Sequence, residues 1–290
     1  MLNRGVGRLS DGFTRRSKRA ASSVPSKLAR FTRRCVGLSQ EAVGNDRDPP
    51  VKKGDGGYAD WVIVALHGLR EYLDHTYRQL MDVLREMPRI LKELGLAEVD
   101  LPHFSTVCHA KQQIEMELWR VLLRVSSALH DHGQTQAIDA TGFGRRAVSR
   151  HYAKRIRYYF QAVKTTALVD CETGVVLDVH CSMKQPHDTQ IGWQVLTRNL
   201  DQLETVVADK GYDWDDLRQK LRENDVRPVI KHKEFYHLDK AHNARMDGDV
   251  YPHRSTVESA FFAIKHRYGD RLRARTWFGQ FRELVLKAAV

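Results

Sequence analysis

At Gln136 the hydrophobic period of this chain changes, and no other feature limits its fold as strongly. Before that point apolar residues recur at steps of three and four: Val62, Leu66, Leu69 and Leu73, then Leu80, Val83, Leu84 and Met87, then Ile114, Leu118, Val121, Leu122, Val125 and Leu129. This is helical spacing, and Pro88 predicts a break after the second stretch. Beyond Gln136, short runs predict strands at 137–140, 163–169, 175–180, 205–208 and 226–230, with a turn at Gly174. Helices are predicted after Asp188, read as an N-cap, after Asp213, where Asp215 and Asp216 suit a helix N-terminus, and from Ser255. Three strands in a row followed by alternating helix and strand predict an α+β/α/β fold, a ribonuclease-H-like mixed sheet flanked by helices and preceded by a small all-α N-terminal domain.

The boundaries that follow are a basic, disordered tail over 1–57, a helical DNA-binding domain over 58–133 and a catalytic domain over 134–290. The helical part reads equally as a helix-turn-helix-like module or as a plain bundle packed on the next domain. Its periodicity does not separate the two. The tail reads as a phosphate-contacting arm or a solvated leader, and less well as a transit peptide.

Charge adds a partner class. The 290 residues carry 47 Lys and Arg against 36 Asp and Glu, a net of +11, which suits a polyanion. Most of the excess is local: +9 lies in residues 1–53, +7 in 145–164 and +5 in 253–290, while the stretches between are acidic. In 145–164 the cations Arg145, Arg146, Arg150, Lys154, Arg155, Arg157 and Lys164 are interleaved with Tyr152, Tyr158, Tyr159 and Phe160 and meet no acid. That mixture suits phosphate contact with base stacking. No apolar run is long enough to span a bilayer. GxSxG, HExxH and GxGxxG are absent, and the gaps among Cys171, His180, Cys181 and His187 do not fit zinc ligand pairs.

Three acids stand out. Asp139 and Asp209 each follow a short apolar run and precede a glycine within three residues. The ordinary reading of each is a turn aspartate. Glu258 lies 49 residues after Asp209, and Ser255-x-x-Glu258 reads as a capping box. At about 100° per residue, however, Arg254, Glu258 and Lys265 share one stripe of that helix with Phe261, flanked by Val257 and Tyr268. Charges on a half-apolar stripe suit a helix that lines a site. Three carboxylates on two strand ends and a helix can hold two divalent ions for an in-line displacement at phosphorus.

These motifs resemble the DDE transposases of insertion sequences, in particular the insertion-sequence-five group within the insertion-sequence-four superfamily. The resemblance is carried by Ile138-Asp139-Ala140-Thr141-Gly142-Phe143, by Ala208-Asp209-Lys210-Gly211-Tyr212-Asp213, and by Tyr251-x2-Arg254-x3-Glu258-x6-Lys265, similar to that superfamily's tyrosine-arginine-glutamate-lysine signature. It covers 58–290, and such relatives are expected to continue past a helix like the one at Val290. The resemblance implies a metal-binding triad of Asp139, Asp209 and Glu258 with two Mg²⁺ or Mn²⁺ ions. It implies DNA contacts by Tyr251, Arg254 and Lys265, beside those expected of Arg145, Arg146, Lys154, Arg155 and Arg157. It further implies double-stranded DNA partners (transposon ends and target), a homodimer, cytoplasmic nucleoid association, and cleavage followed by strand transfer. Two alternatives stay open: a DNA-binding relative that is inactive or truncated, and a ribonuclease-H-type nuclease without strand transfer. Pro186-His187-Asp188-Thr189 reads first as a cap and second as a substrate contact.

Overall fold

A computed structural model describes residues 25–44, 48–52, 57–145, 162–184 and 186–290. At its centre β1 (Thr135–Arg145), β2 (Val163–Asp170) and β3 (Val176–Ser182) form an antiparallel meander, and β4 (Thr205–Ala208) and β5 (Arg227–Ile230) join in parallel on the other side of β1. The spatial order is β3-β2-β1-β4-β5, and a short β6 (Arg271–Leu272) pairs with the far end of β1. This is the ribonuclease-H-like mixed sheet expected from the strand order. Gly174, at φ 71°, makes the turn between β2 and β3.

The strand β1 runs five residues beyond the expected end at 140, straight through Asp139. Gly142 suggested a turn, but it and Gly144 are places of close approach. A Cβ on Gly142 would lie 3.1 Å from the Ala162 Cβ, and one on Gly144 3.3 Å from the Arg271 Cγ.

Helices cover both faces of the sheet. Among the described residues the N-terminal region holds α1 (Lys27–Val43), α2 (Asp60–Tyr72), α3 (Tyr77–Arg85), α4 (Pro88–Glu93), α5 (Phe104–Gln113) and α6 (Met116–Ser127). Pro88 is the first residue of α4, where its missing N–H is harmless. Later in the chain come α7 (Asp188–Thr197), α8 (Asp215–Glu223), α9 (His237–Ala244), α10 (Ser255–Tyr268) and α11 (Trp277–Ala289). One sheet face, with Ile138, Leu168 and Val206, packs on Ile191 and Val195 of α7 and Leu217 of α8. The other, with Ala137, Phe143, Ala167 and Val179, packs on Trp119 and Leu122 of α6, Phe261 of α10 and Leu284 of α11.

One expectation about the N-terminal part is corrected. Residues 1–57 were expected to be a disordered tail, yet Lys27–Val43 is a 17-residue helix capped by Ser26 and packed on α2. Its inward face is Ala29, Thr32, Cys35 and Ser39, small residues that carry little hydrophobic signal but let two helices approach closely. The partner is Gly68 of α2, where a Cβ would overlap the Cys35 Sγ. Gly68→Ala is therefore expected to destabilise the protein by about 1–3 kcal/mol through overpacking, measured by chemical denaturation. Residues 1–24, 45–47 and 53–56 of the expected tail lie outside the described residues.

Nor do the helices at 58–133 have a core of their own throughout. Ile63 and Val64 of α2 and Trp119, Leu122 and Leu123 of α6 belong to the same buried cluster as the sheet. Every residue of α2 from Trp61 to Glu71 is buried, so α2 has no face free to enter a DNA groove. Among the described residues no helix is long and apolar enough to cross a membrane.

Candidate active site

The register of β1 against β4 decides where two of the acids go. Their parallel pairing ends with Ile138 opposite Ala208, and the next residue of each strand is an aspartate. Asp139 continues in β1. Asp209 leaves β4 into a single 3-10 turn, Lys210–Tyr212, and its Oδ1 accepts the Gly211 amide at 2.7 Å. The turn reading thus accounts for one oxygen of Asp209 and not for its position beside Asp139. Strand alternation turns Asp139 and Thr141 toward the face that carries α10, the face on which Ala137 and Phe143 are buried.

The Asp139 carboxyl is pushed up to about 6. Burial is the main cause, and the nearby charges of Asp209, Glu258 and Asp188 add to it, against the Ala140 amide that donates to Oδ1 at 2.7 Å. Carboxylates whose charges repel across a half-buried site are a functional-site signal.

The third acid arrives on α10. The capping box expected at Ser255 does not form: the Ser255 Oγ donates to the Pro252 carbonyl at 2.9 Å, and the cap position is occupied by Arg254. Glu258 instead accepts from the Arg254 Nη1 at 3.0 Å, with both side chains partly in solvent. Further along the helix Lys265 crosses to the sheet. Its Nζ donates to the Thr141 Oγ1 at 2.7 Å, two residues from Asp139, and lies 5.1 Å from the centre of the Phe143 ring.

A cleft of about 490 Å³ opens beside Asp209, lined by Lys210, Lys231, His232, Glu234, Asn243, Tyr251 and Arg254. The Tyr251 ring sits under two cations, with the Lys231 Nζ at 4.5 Å and the Arg254 Cζ at 5.7 Å from its centre. Burial raises its phenol pKa, so it remains a proton donor at neutral pH. Asn243 of α9 fixes the cleft wall by bonding both the amide (2.9 Å) and the carbonyl (3.0 Å) of His232.

Of the other basic residues singled out, Arg145 is the last residue of β1, while Arg146, Lys154, Arg155 and Arg157 lie outside the described residues. Asp188 was expected to cap α7, but the cap residue is His187 and makes no side-chain bond. Asp188 stands in the first turn with the Lys164 Nζ at 2.8 Å. Thr141 thus joins the site's surroundings without having been picked out, and Asp188, whose segment reads second as a substrate contact, acts on the Asp139 carboxyl. A polar residue buried by tertiary contact has no local sequence signal.

Among the described residues no three His, Cys, Asp or Glu side chains stand close enough together to ligate one metal ion. The donor chemistry of Asp139, Asp209 and Glu258 still fits a hard divalent cation: the three are anionic oxygen donors, and a cation would offset the burial of charge and the repulsion that together lift the Asp139 pKa. In this arrangement the counter-charge at Glu258 is Arg254.

The family profile described as the transposase DDE domain matches residues 131–290, more than half of the chain. The chain belongs to the DDE transposase family. Members of that family act in DNA transposition and generally use divalent metal ions. The match includes the whole sheet, Asp139, Asp209, Glu258 and Lys265. No curated protein matches the sequence. Among solved structures, a piggyBac transposase in a synaptic complex with hairpin DNA is similar at 9% identity, over 89% of this chain and 70% of that chain, with a TM-score of 0.46.

Proposed function

We propose that this DDE transposase binds the terminal inverted repeats of an insertion sequence of the insertion-sequence-five type, cuts a DNA strand and transfers the freed 3′ end to target DNA. The observation that carries the reading is the placement of Asp139 and Asp209 side by side where β1 and β4 part, with α10 bringing Glu258 and Lys265 to the same stretch of β1. Family membership supports the chemistry, and the spacing of Tyr251, Arg254, Glu258 and Lys265 supports the subgroup.

In this reading Asp139, Asp209 and Glu258 hold the divalent cations. When bound, these would activate the attacking hydroxyl and stabilise the leaving oxygen at phosphorus. Lys265, anchored on Thr141, and Arg254, able to exchange Glu258 for a phosphate, hold the scissile strand against the acids. Tyr251, flanked by Lys231 and Arg254, donates from its phenol to the strand. The cations of 145–164 extend the contact along the backbone, so binding should weaken steeply with salt. The homodimer and the nucleoid association expected of such enzymes belong to this proposal.

One observation favours a competing reading. Glu258 is ion-paired with Arg254, as suits a DNA-binding relative that no longer cleaves. Glu258→Gln separates the two. Glu258 is exposed and caps nothing, so the variant should fold and bind DNA as wild type does. Cleavage of an oligonucleotide carrying the gene's flanking repeats, with Mg²⁺ or Mn²⁺, should fall at least about a thousandfold. A wild type that binds but never cleaves supports the silent relative. A variant that cleaves as well as wild type removes Glu258 from the site.

A further inference from the structure

Between β5 and α10 the chain leaves the core. No residue of α9 is buried. At its start Phe235, Tyr236 and Leu238 are 77%, 75% and 81% exposed, three large apolar side chains close together in the chain. Apolar groups set side by side on a surface mark a place where something binds. The segment is nonetheless held in place. The Asp239 carboxylate accepts the Phe235 and Tyr236 amides at 3.0 and 2.8 Å. Asn243 ties α9 back to the His232 backbone and to the Glu234 carboxylate. A surface fixed in this way loses little freedom when a partner binds.

The charges indicate the class of partner. Lys231, Lys233, Lys240 and Arg245 stand against Glu234 and Asp239, and both acids are already engaged by donors of the same segment. The segment also leads to the acidic site. Phe235 and Lys233 line a cleft of about 420 Å³ together with Asp209 and Lys210. Asp209, Lys210 and Glu234 line the cleft of Tyr251 and Arg254 as well, so the two clefts meet at Asp209. Cations beside an open aromatic ring suit a single strand of nucleic acid, whose phosphates meet the cations and whose bases meet the ring. A base inside a duplex shows a protein only its edge, so a ring stacks on it only where the strand is unpaired.

We propose that Phe235 and Tyr236 form a stacking platform for unpaired bases of the strand that passes Asp209, so that the site takes DNA whose strands are parted beside the cut. The inference rests on reading Asp209 as part of a DNA-cleaving site. Lys231, Lys233 and Lys240 hold phosphates of the same strand, and Leu238 extends the apolar surface.

The test is binding to the full-length protein, measured by fluorescence anisotropy without divalent metal. The probes are a short oligothymidine strand and a mixed-sequence duplex of equal length. Both rings are in solvent, so Phe235→Ala and Tyr236→Ala should melt as wild type does. Each should bind oligothymidine about tenfold more weakly and the duplex at most about twofold more weakly. The salt dependence should stay that of wild type, because no charge is lost, whereas Lys233→Ala should flatten it. Phe235→Trp keeps a stacking face and should bind the strand at least as tightly as wild type. Equal losses on strand and duplex, or strand affinity untouched by either alanine, overturn the proposal. A wild type that binds the duplex but not oligothymidine overturns it and leaves the DNA reading standing. One that binds neither overturns both. A wild type that sediments as a dimer, with Phe235→Ala a monomer of unchanged strand affinity, assigns the patch to a second copy of the chain and overturns the proposal.

Discussion

Asp139→Asn is expected to melt at a higher temperature than wild type in metal-free buffer at pH 7.5, and to cleave no DNA. The carboxyl of Asp139 has its pKa pushed up to about 6 from 3.8, first by burial and then by Asp209, Glu258 and Asp188. A raised folded-state value means that the fold favours the protonated acid. The associated stability is present in full below about pH 4 and is lost as pH rises through about 6. At pH 7.5 wild type therefore carries an unfavourable charge that asparagine lacks. About two pKa units correspond to an upper bound of about 3 kcal/mol. Partial exposure of the side chain screens the charges, so about 1–2 kcal/mol is the expected gain. Melting curves of the two proteins should nearly coincide at pH 4 and separate progressively from pH 5 to 7.5. Mg²⁺ should close the gap by stabilising wild type alone. The same substitution removes a proposed cation ligand, so strand cleavage should fall by at least about a thousandfold. A variant that is no more stable than wild type at pH 7.5 would show that the site is not electrostatically strained.

Glu283→Ala should be among the most damaging single substitutions, although a charged residue on a late helix looks dispensable. Glu283 of α11 is fully enclosed and serves three partners. Its carboxylate accepts the Arg273 amide at 3.0 Å, the Ala274 amide at 2.8 Å and the Lys287 Nζ at 2.7 Å. Burial alone would raise its pKa, but Lys287 and the two amides outweigh that and hold it below the usual carboxylate value. Around it, Arg70 and Glu71 of α2 are ion-paired and Lys111 of α5 is buried, so this polar core joins the N-terminal helices to α11. Removing Glu283 leaves Lys287 buried without its partner and two amides unpaired, an expected loss of about 3–5 kcal/mol. Equilibrium denaturation of Glu283→Ala and Glu283→Gln measures it. Because the Glu283 value is depressed, its contribution is present above about pH 4.5 and should fade as the solution is acidified. A loss below about 1 kcal/mol in Glu283→Ala would mean that the polar core is not cooperative.

The parts of the fold that could be read from the chain are those with local causes. Short apolar runs marked the strands, and Thr205–Ala208 falls where such a run stands. The two aspartates could be singled out because each follows a short apolar run, but their adjacency depends on Ile138 facing Ala208, which is a matter of register. What stayed hidden was tertiary. The helix α1 shows the solvent a basic surface and hides small residues whose partner, Gly68, lies 33 positions after Cys35. At Ser255 two local outcomes competed, a capping box and an Arg254–Glu258 pair four residues apart, and the spacing permits both. Lys265 reaching Thr141 and Glu283 reaching Arg273 are contacts between distant elements. Each of these two charges is held inward by a partner that the sequence places elsewhere.

The claim that Asp139, Asp209 and Glu258 gather around divalent cations can be examined by letting the metal mark its own neighbours. Fe²⁺ replaces Mg²⁺ in the purified protein, ascorbate and peroxide generate radicals at the bound ion, and the cut positions are read by mass spectrometry. Backbone cuts should cluster near residues 139, 209 and 258, and excess Mg²⁺ should suppress all three together. Cuts confined elsewhere, or cuts at these positions that Mg²⁺ leaves untouched, would contradict a shared cation site.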